Sequence, residues 1–472
     1  MLVVTTLSSF LAFLDSTIVN VALQSLSRTM DTSLSTVQWL ITAYLLALAA
    51  ALPTAGWASD RFGAKRVYLW SVAGFTLGSL ACGLATSIGQ LIAFRAIQGG
   101  AAALATSVAT MLAVRAAGPE LIAKVMSVTG VPTVLAPIVG PAIGGLLLEH
   151  AGWRWIFLIN VPIGAAIVAM SLRLLPPEAD SGQGTRLDVP GLATLAMACV
   201  GLTYGLAELG EGGDLAATAV LLPVGAGLAL LAAFVVHALR SPAPLLDLRL
   251  HRIPRFAAAA VTNFCLGAVT FGAFMLLPLY FQIARHENTV DTGLLLIPQG
   301  VGTAIAIAFS AKLTKALGTG RTALLGGLIS VVGTVPFVLI AENTSYWLLG
   351  VAMVVRGMGI GAAIVPAMTA AYVVVPPTAI ADATVQLSVL QRIAGSLSTA
   401  VFAVVLQNEL AGAATPGAQA DGFGTVFWWV LATGLCAAAP MLLLIAAERR
   451  DARAAAPGNE DTMPDAADRK AW

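Results

Sequence analysis

Phe10-Leu-Ala-Phe-Leu-Asp15-Ser-Thr-Ile-Val-Asn20-Val-Ala-Leu23 is an apolar run with a single carboxylate at its centre. The run extends from about residue 2 to residue 23, long enough for a helix across hydrocarbon, which takes roughly 20 residues. A charge at that depth is costly and marks a functional position unless a partner satisfies it. Asp15 stands 13 residues into the run, roughly 20 Å from its start at 1.5 Å per residue. One helix later comes a basic loop, Gly56-Trp-Ala-Ser-Asp60-Arg61-Phe-Gly63-Ala-Lys65-Arg66. Together the two segments suggest a proton-coupled membrane transporter.

The whole chain has the same character. Hydrophobic residues make up 58% and charged residues 10%, against roughly 25% charged in soluble domains; the mean hydropathy is +0.88. The solvent this chain requires is a lipid bilayer. A net charge of +1 argues against nucleic acid as a partner. Cys82, Cys199, Cys265 and Cys436 lie apart inside apolar runs and read as small core residues. No HExxH, CxxC, phosphate-binding loop or dinucleotide fingerprint is present. The sequence therefore predicts neither an enzyme nor a cofactor or metal site, and active transport is expected to draw on a proton gradient.

Fourteen apolar spans are expected. With the N-terminus inside, nineteen Lys and Arg fall in cytoplasmic segments, three (Arg28, Arg154, Arg285) in outer loops, and three (Arg95, Arg356, Arg392) within spans. That bias predicts two cytoplasmic termini. An internal repeat links Arg95-Ala-Ile-Gln-Gly-Gly100-Ala-Ala102 to Arg356-Gly-Met-Gly-Ile-Gly361-Ala-Ala363, and the Gly63/Arg66 loop to a loop with Gly318 and Arg321. The expected organisation is an N-terminal six-helix bundle (1–175), a linker with two inserted spans (176–255, the spans near 188–207 and 216–238), a C-terminal six-helix bundle (256–446) and a disordered cytoplasmic tail (447–472). The inserted pair interrupts the repeat and is expected at the periphery. Paired repeats around a central site are a known transporter architecture.

Five segments in this order carry a resemblance: Leu14–Leu23; Gly56–Arg66; the Arg95 helix; Ala136-Pro137-Ile-Val-Gly140-Pro141-Ala-Ile-Gly144-Gly145; and Trp153-Arg-Trp155-Ile-Phe157-Leu-Ile-Asn160-Val-Pro162-Ile-Gly164. The chain resembles the major facilitator superfamily along essentially its whole length, and within it the fourteen-helix drug:proton antiporters. The resemblance implies an all-α membrane fold of two six-helix bundles. It also implies that the Gly56, Asp60, Arg61, Gly63 and Arg66 loop latches the halves on the cytoplasmic side. Lys315 takes the place of Asp60 in the second copy, which puts a second latch in doubt. The Pro137, Gly140, Pro141, Gly144 and Gly145 set reads as tight helix packing, or as the hinge or seal that the antiporter resemblance favours.

Arg95 enters its span from the outer side and reaches a depth similar to that of Asp15. A desolvated Asp holds a proton near neutral pH and releases it when Arg⁺ comes close; the bland alternative is a carboxylate satisfied by local donors. Arg356 and Arg392 lie in C-terminal spans without a mid-span carboxylate, either bonded to carbonyls and water or giving the cavity a positive character. Asp15, Asn20, Asn263, Phe271, Phe274, Gln299, Arg356, Gln386 and Arg392 are the candidate substrate contacts, with Tyr280 as further apolar contact. The sequence predicts a monomer in a bacterial cytoplasmic membrane that exports a small amphiphilic molecule against protons. A metabolite importer and a non-transporting membrane sensor are the alternatives; the helix-5 motif argues against the first, and a sensor does not need a mid-membrane Asp.

Overall fold

A computed structural model describes residues 1–175, 187–210, 217–242, 244–413 and 415–454. Among these the chain is helical throughout, as lipid demands, because backbone N–H and C=O groups find no water there. The helices are α1 (Leu2–Thr29), α2 (Leu34–Ala51), α3 (Thr54–Phe62), α4 (Ala64–Leu84), α5 (Ile88–His150), α6 (Arg154–Leu158) and α7 (Asn160–Leu174) in the first half. The insert contributes α8 (Val189–Gly210) and α9 (Thr218–Arg240). The second half holds α10 (Pro254–Ile283), α11 (Thr289–Leu317), α12 (Thr319–Val338), α13 (Tyr346–Val373), α14 (Ile380–Leu410), α15 (Pro416–Cys436) and α16 (Ala438–Ala454). Ser33, Ser87 and Thr415 cap α2, α5 and α15 by accepting N–H bonds from Thr36, Gln90 and Ala418. Large apolar side chains such as Trp70, Leu77, Leu222, Trp347 and Leu443 lie exposed on the outside, the inverse of a water-soluble surface and the natural face toward lipid.

Twelve helices among the described residues are long and apolar enough to cross a membrane, or thirteen when the bent pair α2 and α3 counts as one span. That pair turns by 56° where Pro53 follows Leu52. The expected count of fourteen is not reached, and the shortfall falls on α5. Helix α5 runs unbroken for 63 residues, about 95 Å if straight, three times a hydrocarbon core of ~30 Å. It does not run straight. Arg95, near its start, bonds Asp15 of α1 at 2.6 Å, while Gly140, near its end, lies against Thr17 of the same helix. The chain therefore reverses inside α5. Ala113 and Val114 share an apolar cluster with Ile122, Val125 and Met126, so the reversal falls between these groups. Of the returning arm, Leu121–Gly130 is an apolar helical stretch that stands outside that count, and the side chains of 131–135 lie outside the described residues.

The internal repeat is visible in matching local geometry. Gly63, between α3 and α4, and Gly318, between α11 and α12, both have φ of +88°, a region that disfavours side chains. Gly100 packs against Ala51 and Ala47, and Gly361 against Ala306 and Thr303. The expected disordered tail needs correction: residues 447–454 are the last turns of α16, and 455–472 lie outside the described residues. Glu448 is the reason. Its carboxylate accepts from the N–H groups of Thr319 (3.0 Å) and Gly320 (2.9 Å) and from the Thr319 hydroxyl, capping α12, and it pairs with Arg255 at 3.2 Å.

The insert is not wholly peripheral. Helix α9 stands outside, but α8 packs on both α2 and α14, one helix from each half. Trp39 of α2 stacks on Tyr204 of α8 with ring centroids 6.3 Å apart. Just before α8, Asp188 accepts from the N–H groups of Gly191 and Leu245 (both 3.0 Å) and from His237 at 2.8 Å, fastening the insert to the chain that follows it.

Candidate functional site

The Asp60 end of the molecule is closed. One apolar cluster there joins Val114, Ile122 and Met126 of α5 to Phe256, Ile307, Val365, Tyr372 and Leu387 of the second half, and Ala381, Val385 and Val389 of α14 join the first-half core. At the opposite end each cluster stays within one half: Ile18, Leu40, Leu91 and Phe157 in one, Leu276, Tyr280, Phe337 and Phe427 in the other. Among the described residues the two halves thus share apolar clusters at one end and none at the other.

Asp15 and Arg95 meet between these ends, both fully buried. Arg95 Nη1 donates to Asp15 Oδ2 at 2.6 Å and to Gln98 Oε1 at 2.8 Å. Gln98 Nε2 and Asn160 Nδ2 both donate to Asp15 Oδ1, at 2.9 and 2.7 Å, and both reach the Ser79 hydroxyl. Arg95 Nε donates to the Leu40 carbonyl at 3.2 Å, and the guanidinium lies 4.2 Å over the Tyr44 ring. Asp15 therefore accepts three hydrogen bonds, from Arg95, Gln98 and Asn160. Asn160 Oδ1 is buried without a partner. Gln98, Asn160 and Ser79 are absent from the candidates read from the sequence. Gln98 carried a signal, since i and i+3 share a helix face with Arg95.

The other expected residues scatter. Asn20 is exposed, and Asp15 itself is fully buried. Asp60 does not cap a helix of the other half: it pairs with Arg115 of its own half at 3.2 Å, both partly exposed. The contact across the halves is made instead by Gly56, where a Cβ would stand 3.7 Å from the Ala381 Cβ and 3.8 Å from the Asp382 carboxylate. Gly63 supplies the turn, and Arg61 and Arg66 are exposed. Gly140 and Gly144 pack the returning arm of α5 onto Thr17 and Ile18 within one half, while a Cβ at Gly145 would meet open space. The side chains of Pro137 and Pro141 lie outside the described residues.

In the second half, Arg356 is fully buried and donates to Gln299 Oε1 (3.1 Å), the Thr334 hydroxyl (3.3 Å) and the Val269 carbonyl (3.1 Å), three neutral acceptors and no carboxylate. Gln299 is thus engaged inside the bundle. Gln386 is also engaged, donating to the Asp247 carbonyl at 3.0 Å. Asn263 donates to the Leu387 carbonyl at 3.2 Å and keeps a buried Oδ1 without a partner. Tyr280 is buried in the second-half cluster, its hydroxyl donating to the Ala341 carbonyl and accepting from Arg285. Phe274 is half-buried, and Phe271 is exposed beside Gly395. Arg392 differs from both other intramembrane arginines: it is half-buried and, among the described residues, has no hydrogen-bond or ion-pair partner. An open dent of about 680 Å³ on the outer face of α9, lined by Ala232, Val236 and Arg240, is remote from all of these.

The sequence model of the Major Facilitator Superfamily matches residues 5–399. A multidrug resistance protein B homolog of Mycobacterium tuberculosis is 36% identical over 406 residues, covering 85% of this chain and 75% of that protein. The methylenomycin A resistance protein of Streptomyces coelicolor is 34% identical over 370 residues, 77% of this chain and 76% of that one. Among solved structures, a double-tryptophan variant of the transporter XylE superposes with a TM-score of 0.68 at 14% identity, covering 94% of this chain and 95% of the other. The human organic anion transporter MFSD10 superposes at 0.63 and 16%, covering 94% and 98%. At such identities these two likenesses speak for the fold alone.

Proposed function

The chain belongs to the major facilitator superfamily, and we propose that it exports small amphiphilic compounds in exchange for protons by alternating access. Relatives named for multidrug and methylenomycin resistance support efflux of drug-like molecules. The observation that carries the coupling is the isolated Asp15–Arg95 pair, buried at 2.6 Å on the inner side of one half. A proton reaching Asp15 cancels its charge and weakens its hold on Arg95, and Asn160 Oδ1 is the free acceptor that can take the new O–H. Loss of the proton restores the pair. In this reading the structure is the deprotonated, Asp60-end-closed state. With that end cytoplasmic, as the Lys/Arg placement favours, the protein stands outward-facing in a bacterial cytoplasmic membrane as a fourteen-span monomer with both termini inside.

The test is substrate-dependent proton movement in proteoliposomes across a panel of amphiphiles. The parent releases or takes up protons with substrate flux, and Asp15→Asn stops uphill export while substrate still exchanges downhill. Uphill export by a folded Asp15→Asn protein ends the assignment of Asp15 as the carrier.

A further inference from the structure

Arg392 stands 12 residues into α14, roughly 18 Å from the closed end at 1.5 Å per residue, the same level as Asp15. Around α14, Gln391 and Ala394 face Gly267 of α10, and Gly395 faces the Phe271 ring. Val389 and Ile393 face the first-half core. Arg392 lies between these two faces, so its side chain enters the gap between the halves. It is half-buried, and its place between these two packed faces of α14 turns its remaining accessible surface toward the gap between the halves and not toward lipid. It lies close enough to the Tyr44 hydroxyl and, separately, to the Cys199 thiol to act on each electrostatically. Among the described residues no carboxylate faces it from α2, α8, α10 or α14 at that level, and Asp15 on α1 is already engaged by Arg95.

An unpaired guanidinium at mid-membrane depth is expensive. Its fork of donors matches a carboxylate, sulfonate or phosphate. We infer that Arg392 is the binding site for the anionic group of a transported amphiphile, whose apolar body lies along Phe271 where Gly395 leaves room for the ring. Resting on the export reading, this names the substrate class as organic monoanions. Tyr44 joins this site to the coupling pair: one face of its ring carries Arg95 at 4.2 Å, and its hydroxyl, donating to the Ala12 carbonyl at 3.5 Å, lies in the field of Arg392. Lipid phosphates, which sit at the surface of a ~30 Å core, do not reach this depth.

The experiment is equilibrium binding by tryptophan fluorescence to the full chain in nanodiscs, with three probes sharing one ring system: 2-naphthoate, 2-naphthamide and 2-naphthylmethylammonium. The parent is expected to bind the carboxylate about tenfold more tightly than the amide, the yield of one charge-assisted pair. Arg392→Gln should erase that preference with amide affinity unchanged, which also reports that the variant is folded. Arg392→Lys should keep a reduced preference, and it serves in place of Arg392→Gln should the latter not fold. A preference that survives Arg392→Gln, a preference unchanged in Arg392→Lys when that variant stands in, or no preference in the parent overturns the proposal. So does loss of naphthoate binding when zwitterionic lipid is replaced by phosphatidylglycerol, since the site is then filled by headgroups. Uptake of naphthoate into everted vesicles separates the two readings: binding without transport keeps the site and ends the exporter, whereas transport indifferent to Arg392→Gln ends the site alone.

Discussion

Replacing Asp15 by Asn changes one atom's chemistry at a site with no slack. The carboxylate offers two acceptors on opposite sides, Oδ2 to Arg95 and Oδ1 to Gln98 and Asn160. An amide has one acceptor oxygen and one donor nitrogen. Whichever way Asn turns, its NH₂ confronts either the guanidinium or two other NH₂ groups, and Arg95 is left as a buried charge. Removing one member of a buried pair costs about 3–5 kcal/mol. Arg95 keeps Gln98, the Leu40 carbonyl and the Tyr44 ring, so the lower end of that range is expected. The assay is thermal unfolding in detergent followed by intrinsic tryptophan fluorescence: Asp15→Asn should lower the midpoint by several degrees. Adding Arg95→Met should recover much of the loss, because the charge is gone and Asn can turn its oxygen to Gln98 and Asn160. A single variant as stable as the parent, together with a double variant no better than the single, refutes the reasoning.

Asp60→Asn removes a half-exposed pair with Arg115 inside one half, worth at most about 1 kcal/mol in stability, and it should leave the closed end in place. Thiol labelling of Ala381→Cys in a cysteine-free background is expected to keep its rate, and faster labelling shows that Asp60 holds the halves together. Gly140→Ala places a Cβ 2.2 Å from Thr17 Oγ1 and should cost about 1–3 kcal/mol, whereas Gly145→Ala, with open space around it, should be silent; equal effects in thermal unfolding contradict the packing role. Glu448→Gln weakens the cap on α12 and should cost about 1 kcal/mol, and an unshifted midpoint shows that the contact contributes nothing.

Depth was legible in the sequence. Counting residues along two spans put Asp15 and Arg95 at one level, and they meet there. The twofold repeat was legible for the same reason: helix spacing and glycine position are local properties. The polar ring around the pair was not, because Asn160 reaches Asp15, and Ser79 reaches Asn160 and Gln98, only through the packing of separate helices. Glu448 was lost to composition: in an Ala-, Pro- and acid-rich tail nothing marks one carboxylate as the cap of a helix 129 residues earlier. The bundle walls also absorbed several expected cavity contacts. Gln299 and Gln386 are polar because a buried arginine and a linker carbonyl need partners, a demand that leaves the same trace in sequence as a binding site.

Helix α8 touches both halves, and the proposed alternating access has those halves rock against each other. It cannot stay fastened to both. Against α14 its neighbours are grease: Leu206 and Leu209 lie over Ala400 and Val404, contacts that lose little when they slide by a few ångströms. Against α2 it has the Trp39–Tyr204 stack, which depends on registry. The insert therefore rides with the first half and acts as a bearing on the second. In that proposed motion it keeps lipid out of one seam and leaves the seam between α5 and α11, with Gly130 facing Ile307, as a side on which the two halves meet directly.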